Sequence, residues 1–146
     1  MNEIDEILKK YDWPKKEIIE NLNFGEIESK IGFELSKDYK TYLQNYSSYE
    51  TEIGEQFFNL WDFANLLNYN EDYEIFENLK MTIAIGSNGG GEFIGLEKLV
   101  DGKIRVVLSP FIDLDKEYHI EIGNSFTDFL KRMDNGEKWF KENEPK

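Results

Sequence analysis

Apolar positions recur along this chain at helical spacing towards both ends and at strand spacing in the middle. Ile4, Ile7, Leu8 and Tyr11 are spaced to share one face of a first helix. Asp12 before Trp13 and Pro14 reads as a second helix start, with Ile18, Ile19 and Leu22 on its apolar face and Asn23 to Gly25 as its break. A short helical turn over Glu26 to Ile31 follows, stopped by Gly32. Ser36 then reads as the N-cap of a helix whose stripe is Tyr39, Tyr42, Leu43 and Tyr46; stripes of this spacing usually face inward. Residues 47–60 read as loop and strand. Asp62 reads as the cap of a helix carrying Phe63, Leu66 and Leu67, and Asn68 to Tyr73 as irregular. Ile75, Phe76 and Leu79 return to the core.

The period changes at Met81. Met81, Ile83 and Ile85 alternate with Thr82 and Ala84, and Phe93, Ile94 and Leu96 follow on the far side of Ser87-Asn88-Gly89-Gly90-Gly91. This is the pattern of two strands joined by a turn, because Asn-Gly tolerates the positive φ that a tight hairpin needs. The glycines are not a phosphate loop, which requires Gly-Lys-Ser/Thr opening a helix. Here Glu92 and strand-forming residues come next, so Gly89, Gly90 and Gly91 read as a structural turn. Asp101-Gly102 is another turn, and Ile104, Val106 and Leu108 mark a strand that Ser109-Pro110 ends. A charged loop over Asp113 to Lys116 precedes a last strand marked by Tyr118, Ile120 and Ile122. Gly123-Asn124-Ser125 turns into a helix with Phe126, Phe129, Leu130 and Met133 inward and Gly136 just beyond its end. Trp139 and Phe140 are expected to fold back in a short helical turn, and Asn143 to Lys146 to fray. Helices, then strands, then a helix make an α+β chain with a mainly antiparallel sheet covered by helices, read as a single domain over 1–146.

Composition narrows the chemistry. With 40% hydrophobic and 15% aromatic residues among 146, the chain can bury a core. It has no cysteine, which removes disulfides and thiolate sites, and one histidine, His119, which argues against His-rich metal sites. No stretch resembles a signal peptide or a membrane span, so the expectation is a cytoplasmic protein. A net charge of −13 argues against binding nucleic acid or an anionic membrane and favours a basic partner or simple solubility.

Three motifs resemble the SUKH superfamily of bacterial immunity proteins and fungal cell-wall regulators. The first runs from Ile27 to Leu43 and contains Gly32, Asp38-Tyr39-Lys40 and the helix with Leu43; the second is Ile85-Gly86-Ser87-Asn88-Gly89-Gly90-Gly91-Glu92-Phe93; the third is Ile122-Gly123-Asn124-Ser125-Phe126-Thr127-Asp128-Phe129-Leu130. They occur in the family's order and span most of the chain. Ser36 stands where the family usually has proline, and Tyr46-Ser47-Ser48 where many members have Asn-Gly. The resemblance implies an α+β sheet of six strands or similar, no enzymatic activity, and binding as the function; no cofactor is expected. For bacterial members the implied partner is a toxin, often a nuclease.

Charge is uneven. Between Thr41 and Glu97 ten acids face one base, Lys80, a net of −9. Tyr49 to Glu77 is therefore the expected binding surface, formed by Glu50, Glu52, Glu55, Asp62, Glu71, Asp72, Glu74 and Glu77 with Tyr49, Tyr69 and Tyr73 between them. Trp61, beside Phe57 and Phe58, reads as core, whereas the three tyrosines suit core and interface equally. No flanking nucleophile motif supports catalysis through His119, which reads as a surface or satisfied strand residue, and no carboxylate pair can be singled out. Asp113, Asp115 and Glu117 lack the glycine and distal glutamate of a calcium loop and read as charged loop. Two functions are expected: an immunity protein that neutralises a basic nuclease toxin, or a regulatory module binding a cellular protein. The abundance of Asn, Lys, Ile and Glu, as in AT-rich bacterial genomes, leans to the first. An exposed sheet edge could also pair two chains as a homodimer.

Overall fold

A computed structural model describes residues 2–140. Its elements are α1 (Asn2–Lys10), α2 (Gly25–Ile31), α3 (Lys37–Asn45), β1 (Tyr49–Ile53), β2 (Gln56–Leu60), α4 (Phe63–Asp72), α5 (Ile75–Asn78), β3 (Thr82–Ser87), β4 (Glu92–Lys98), β5 (Ile104–Pro110), a 3-10 turn (Lys116–Tyr118), β6 (Ile120–Gly123) and α6 (Phe126–Asp134). The six strands form one antiparallel sheet whose spatial order is the chain order. This is the expected α+β architecture.

Strand alternation splits the core in two. Ile83, Ile85, Ile94, Leu96, Val106 and Leu108 face the larger core, where α1, α3 and α6 supply Leu8, Tyr39, Tyr42, Leu43, Phe129 and Leu130. Ala84 and Phe93 face the opposite side and join Ile75 and Leu79. Trp61, Phe111 and Leu114 pack around this smaller core. The strands β3 and β4 are thus covered on both faces, which explains their nearly continuous apolar runs.

The first and third motifs meet in space. One oxygen of the Asp38 carboxylate accepts from the Tyr39 backbone N–H at 2.8 Å, and the other accepts from the backbone and hydroxyl of Thr127 at 2.9 and 2.8 Å. A single negative charge therefore serves the N-terminal ends of both α3 and α6. Ser125 caps α6 by accepting from Asp128 N at 2.9 Å. Ser36 occupies the corresponding position of α3, but its buried hydroxyl makes no cap bond, so Asp38 does that work instead.

Several expected elements differ. Residues 13–22 form no helix. Trp13 is buried and donates from Nε1 to Ser47 O at 3.0 Å, and Lys16 N and Glu20 N bond Asn45 O and Gln44 O at the end of α3. The segment is spent on capping α3, which leaves Ile18 and Ile19 in solvent. Residues 47–60 are a full hairpin that turns at Gly54 with φ of 62°. The helix α4 runs on through Asn68 to Asp72, and Asp62, at its cap position, instead accepts from Ser48 N at 2.9 Å. Met81 lies before β3 at φ of 53° rather than in the strand, and β5 extends through Ser109 and Pro110. Tyr118 belongs to the 3-10 turn, not to β6. Trp139 does fold back, onto Phe58 and Phe129, but without a helical turn, and Phe140 is half exposed. The expected fraying at Asn143 to Lys146 lies outside the described residues. Among the described residues no helix is long and apolar enough to cross a membrane.

Candidate functional site

The smaller core is left open at one end, where aromatic rings from three parts of the chain converge. Trp61 follows β2 and is held to β3 through Trp61 N to Ile85 O at 2.9 Å. Tyr69 on α4 and Tyr73, the residue that follows its last turn, stand four residues apart and both meet Trp61. The Tyr69 ring meets Trp61 edge-on at 4.9 Å, and Tyr73 lies nearly parallel to Trp61 at 6.3 Å. Phe111 approaches Tyr73 at 4.5 Å and Phe93 at 5.5 Å.

The glycine turn completes the enclosure. Asn88 Oδ1 accepts from Gly90 N at 3.0 Å, its Nδ2 donates to Glu92 Oε1 at 2.7 Å, and Gly91 O accepts from Phe111 N at 2.9 Å. Gly89 takes φ of 78°, and a Cβ there would sit 3.0 Å from the Phe57 ring. The turn and the Phe111 segment are thereby fixed to each other. Trp61, Tyr69, Tyr73 and Phe111 enclose a cleft of about 340 Å³ with Ser87, Gly89 and Gly90. A shallower groove of about 470 Å³ shares Trp61 and Tyr69 and continues to Tyr49 and Glu50 on β1.

The acidic surface expected from the sequence divides between elements. Glu71, Glu74 and Glu77 line a separate groove of about 390 Å³ with Lys30, whose Nζ lies 3.8 Å from Glu71. Glu74 adopts φ of 60° at the break between α4 and α5. Glu50 and Glu52 are exposed on β1, an edge strand of the sheet, and Glu55 on the β1–β2 turn. Asp72 is exposed, Asp62 is half-buried on Ser48, Tyr49 packs against Trp13 at 5.3 Å, and Tyr73 is half exposed. Trp61, expected as core, backs onto both cores but also walls the cleft. Phe111 and the cleft-lining role of the glycine turn were not anticipated; the one local signal was the spacing of Tyr69 and Tyr73.

Glu97, the last of the ten acids in the stretch from Thr41 and outside the expected surface, is buried. On β4 it faces Arg105 across the strand pair, with Arg105 Nε and Nη2 each 2.9 Å from Oε1 and Lys116 Nζ 3.5 Å from Oε2. Burial alone would raise the Glu97 carboxyl, but contacts with Arg105 and His119 outweigh it and hold the group below the usual carboxylate range. His119 is a correction: its side chain is enclosed, with Nδ1 3.3 Å from Glu97 Oε1 but off the line of a hydrogen bond. Burial lowers its pKa, and Glu97 opposes that only in part. Asp115 Oδ1 accepts from Glu117 N at 3.0 Å, closing the charged loop on itself. Among the described residues no group of three or more His, Asp or Glu side chains could hold a metal ion.

Residues 20–132 match the family model described as SMI1 / KNR4 family (SUKH-1), a span that includes every strand and the whole aromatic cleft. No curated protein matches the chain.

Proposed function

Because the chain belongs to the SMI1 / KNR4 family (SUKH-1), we propose that it is an immunity protein that binds and neutralises a cognate bacterial toxin, a basic nuclease, through its acidic surface. The family is one of immunity and regulatory proteins that are generally non-enzymatic, and we read this chain as acting by binding alone. The observation that supports the proposal is the acidic excess of the exposed charge: Glu50, Glu52, Glu55, Glu71, Asp72, Glu74 and Glu77 all stand in solvent, with Lys30 the basic side chain among them. A nuclease must present a basic cleft to its substrate, and an acidic surface steers association with such a cleft and competes with phosphate for it.

Capture of the partner from the native host, followed by titration at low and high salt, tests this. Recovery of a basic nuclease whose affinity falls as salt rises is the expected outcome. Reversing Glu71, Asp72 and Glu74 to lysine is expected to slow association about tenfold at low salt with little change in dissociation. Recovery of only housekeeping or cell-wall proteins, or binding indifferent to salt, transfers the reading to a regulatory module.

The same charges bear on self-association. Pairing two copies through β1 would set Glu50 and Glu52 of one strand against those of the other. The chain is therefore expected to sediment as a monomer at low salt. A dimer that strengthens as salt is removed would contradict that.

A further inference from the structure

We propose that the cleft formed by Trp61, Tyr69, Tyr73 and Phe111 is an arginine-binding site that takes a surface arginine side chain of the protein partner. The proposal deepens the partner-binding reading above and rests on it for the partner's sign of charge. Four aromatic rings converge on one space of about 340 Å³, and Tyr73 keeps about half of its surface in solvent. Aromatic faces are negative at their centres, so such an enclosure attracts a cation placed over them.

The surroundings favour a cation over an apolar or anionic occupant. No basic residue lines the cleft or the groove that continues from it. Glu50 lines that groove, Asp72 and Glu74 flank Tyr73 in the chain, and Asp113 follows Phe111 by two residues; all four are exposed. Glu92 Oε1 lies 4.0 Å from where a Cβ at Gly90 would be. A phosphate or carboxylate would be repelled here, and a leucine would leave this charge unused.

Arginine fits better than lysine. The guanidinium is flat, weakly hydrated and able to stack on a ring while its N–H groups remain free in its own plane. The non-aromatic side is lined by Ser87, Gly89 and Gly90, so the edge of a flat guanidinium meets a hydroxyl-bearing residue and two residues without side chains there. A compact, strongly hydrated ammonium would lose more water and stack on nothing.

Titration of the isotopically labelled chain with N-acetyl-L-argininamide, followed by amide and indole NMR shifts, tests the assignment without any toxin. The control is N-acetyl-L-citrullinamide, which matches the shape but carries no charge. The Trp61 indole and the Gly89 and Gly90 amides are expected to shift and saturate with the arginine compound, with affinity at least about fivefold weaker for citrulline and for the Tyr73→Leu chain. Equal responses to both compounds, shifts scattered over the exposed acids, or no response overturn the proposal. Failure in this titration leaves salt-dependent toxin capture untouched, and failure to capture a toxin leaves an arginine-saturable cleft untouched, so the two readings fall separately.

Discussion

Replacing Arg105 with methionine is expected to lower the unfolding free energy by about 3–5 kcal/mol, among the largest losses available to a single side chain in this protein. Glu97 is 3% exposed, and its Oε1 takes both of the close contacts from Arg105. Methionine keeps much of the aliphatic stem but removes the guanidinium, leaving a carboxylate inside the fold with Lys116 at 3.5 Å and the enclosed His119 at 3.3 Å. Converting both Glu97 and Arg105 to methionine is expected to recover most of the loss, because a buried ion pair is worth little more than well-packed apolar side chains. Urea unfolding of the two single variants and the double variant closes the cycle. A cost below about 1 kcal/mol for Arg105→Met would mean that water reaches Glu97.

The same cluster sets how the protein responds to acid. His119 titrates below its ordinary 6.5 in the folded state, so the unfolded chain binds that proton first and stability begins to fall as pH drops below about 6.5. Glu97 is likewise lowered from 4.5, so its contribution is complete above that pH and is lost as pH falls through its folded value. Both groups act in the same direction. The gap between wild type and Arg105→Met is therefore expected to narrow towards acid, where Glu97 in the variant takes up a proton readily.

Asn70→Leu is expected to cost about 2–4 kcal/mol, and Asn70→Asp at least as much. The reason lies in a gap in the sheet. Strands β2 and β3 pair only at Asn59 with Ser87 and at Leu60 with Gly86, and β3 carries an irregularity between Ala84 and Gly86. Ala84 is left without a strand neighbour on that side. The Asn70 amide takes its place: Nδ2 donates to Ala84 O at 2.9 Å and Oδ1 accepts from Ala84 N at 2.7 Å. One side chain from α4 thus behaves as a single residue of strand. Leucine leaves two buried backbone groups unpaired, whereas aspartate adds a charge that faces the carbonyls of Ala84 and Leu66. Faster hydrogen exchange at the Ala84 amide in Asn70→Leu, by two orders of magnitude or so, would locate the damage there rather than in the helix. Unchanged exchange would show that the amide is dispensable.

Asn70 also shows where sequence reasoning met its limit. The stripes of α1, α3 and α6 and the alternation of β3 to β5 are repeated signals, and the structure follows them. A polar residue in a polar stretch looks like loop unless its partner is known, and the partner of Asn70 is a backbone fourteen residues away. Ile18, Ile19 and Leu22 failed in the opposite sense: their spacing suits a helix face, but docking of Trp13 and the backbone bonds to α3 decide the conformation. For the candidate surface, the acidic character was legible as composition. The cleft was not, since Trp61, Tyr73, Gly89 and Phe111 come together only when the sheet forms.

Strand order that repeats chain order has a bearing on synthesis. Each strand can add to its predecessor as soon as it leaves the ribosome, so most pairing involves low contact order and short loop closure. The exception is α1, which precedes the sheet in the chain but packs on α6, which follows it, with Lys10 and Tyr11 both bonded to Asp134. Its seat on α6 exists only once all six strands and α6 have emerged. A nascent chain paused before α6 therefore carries an assembled meander with an unclaimed amphipathic helix, which is the stage at which chaperone capture would matter most.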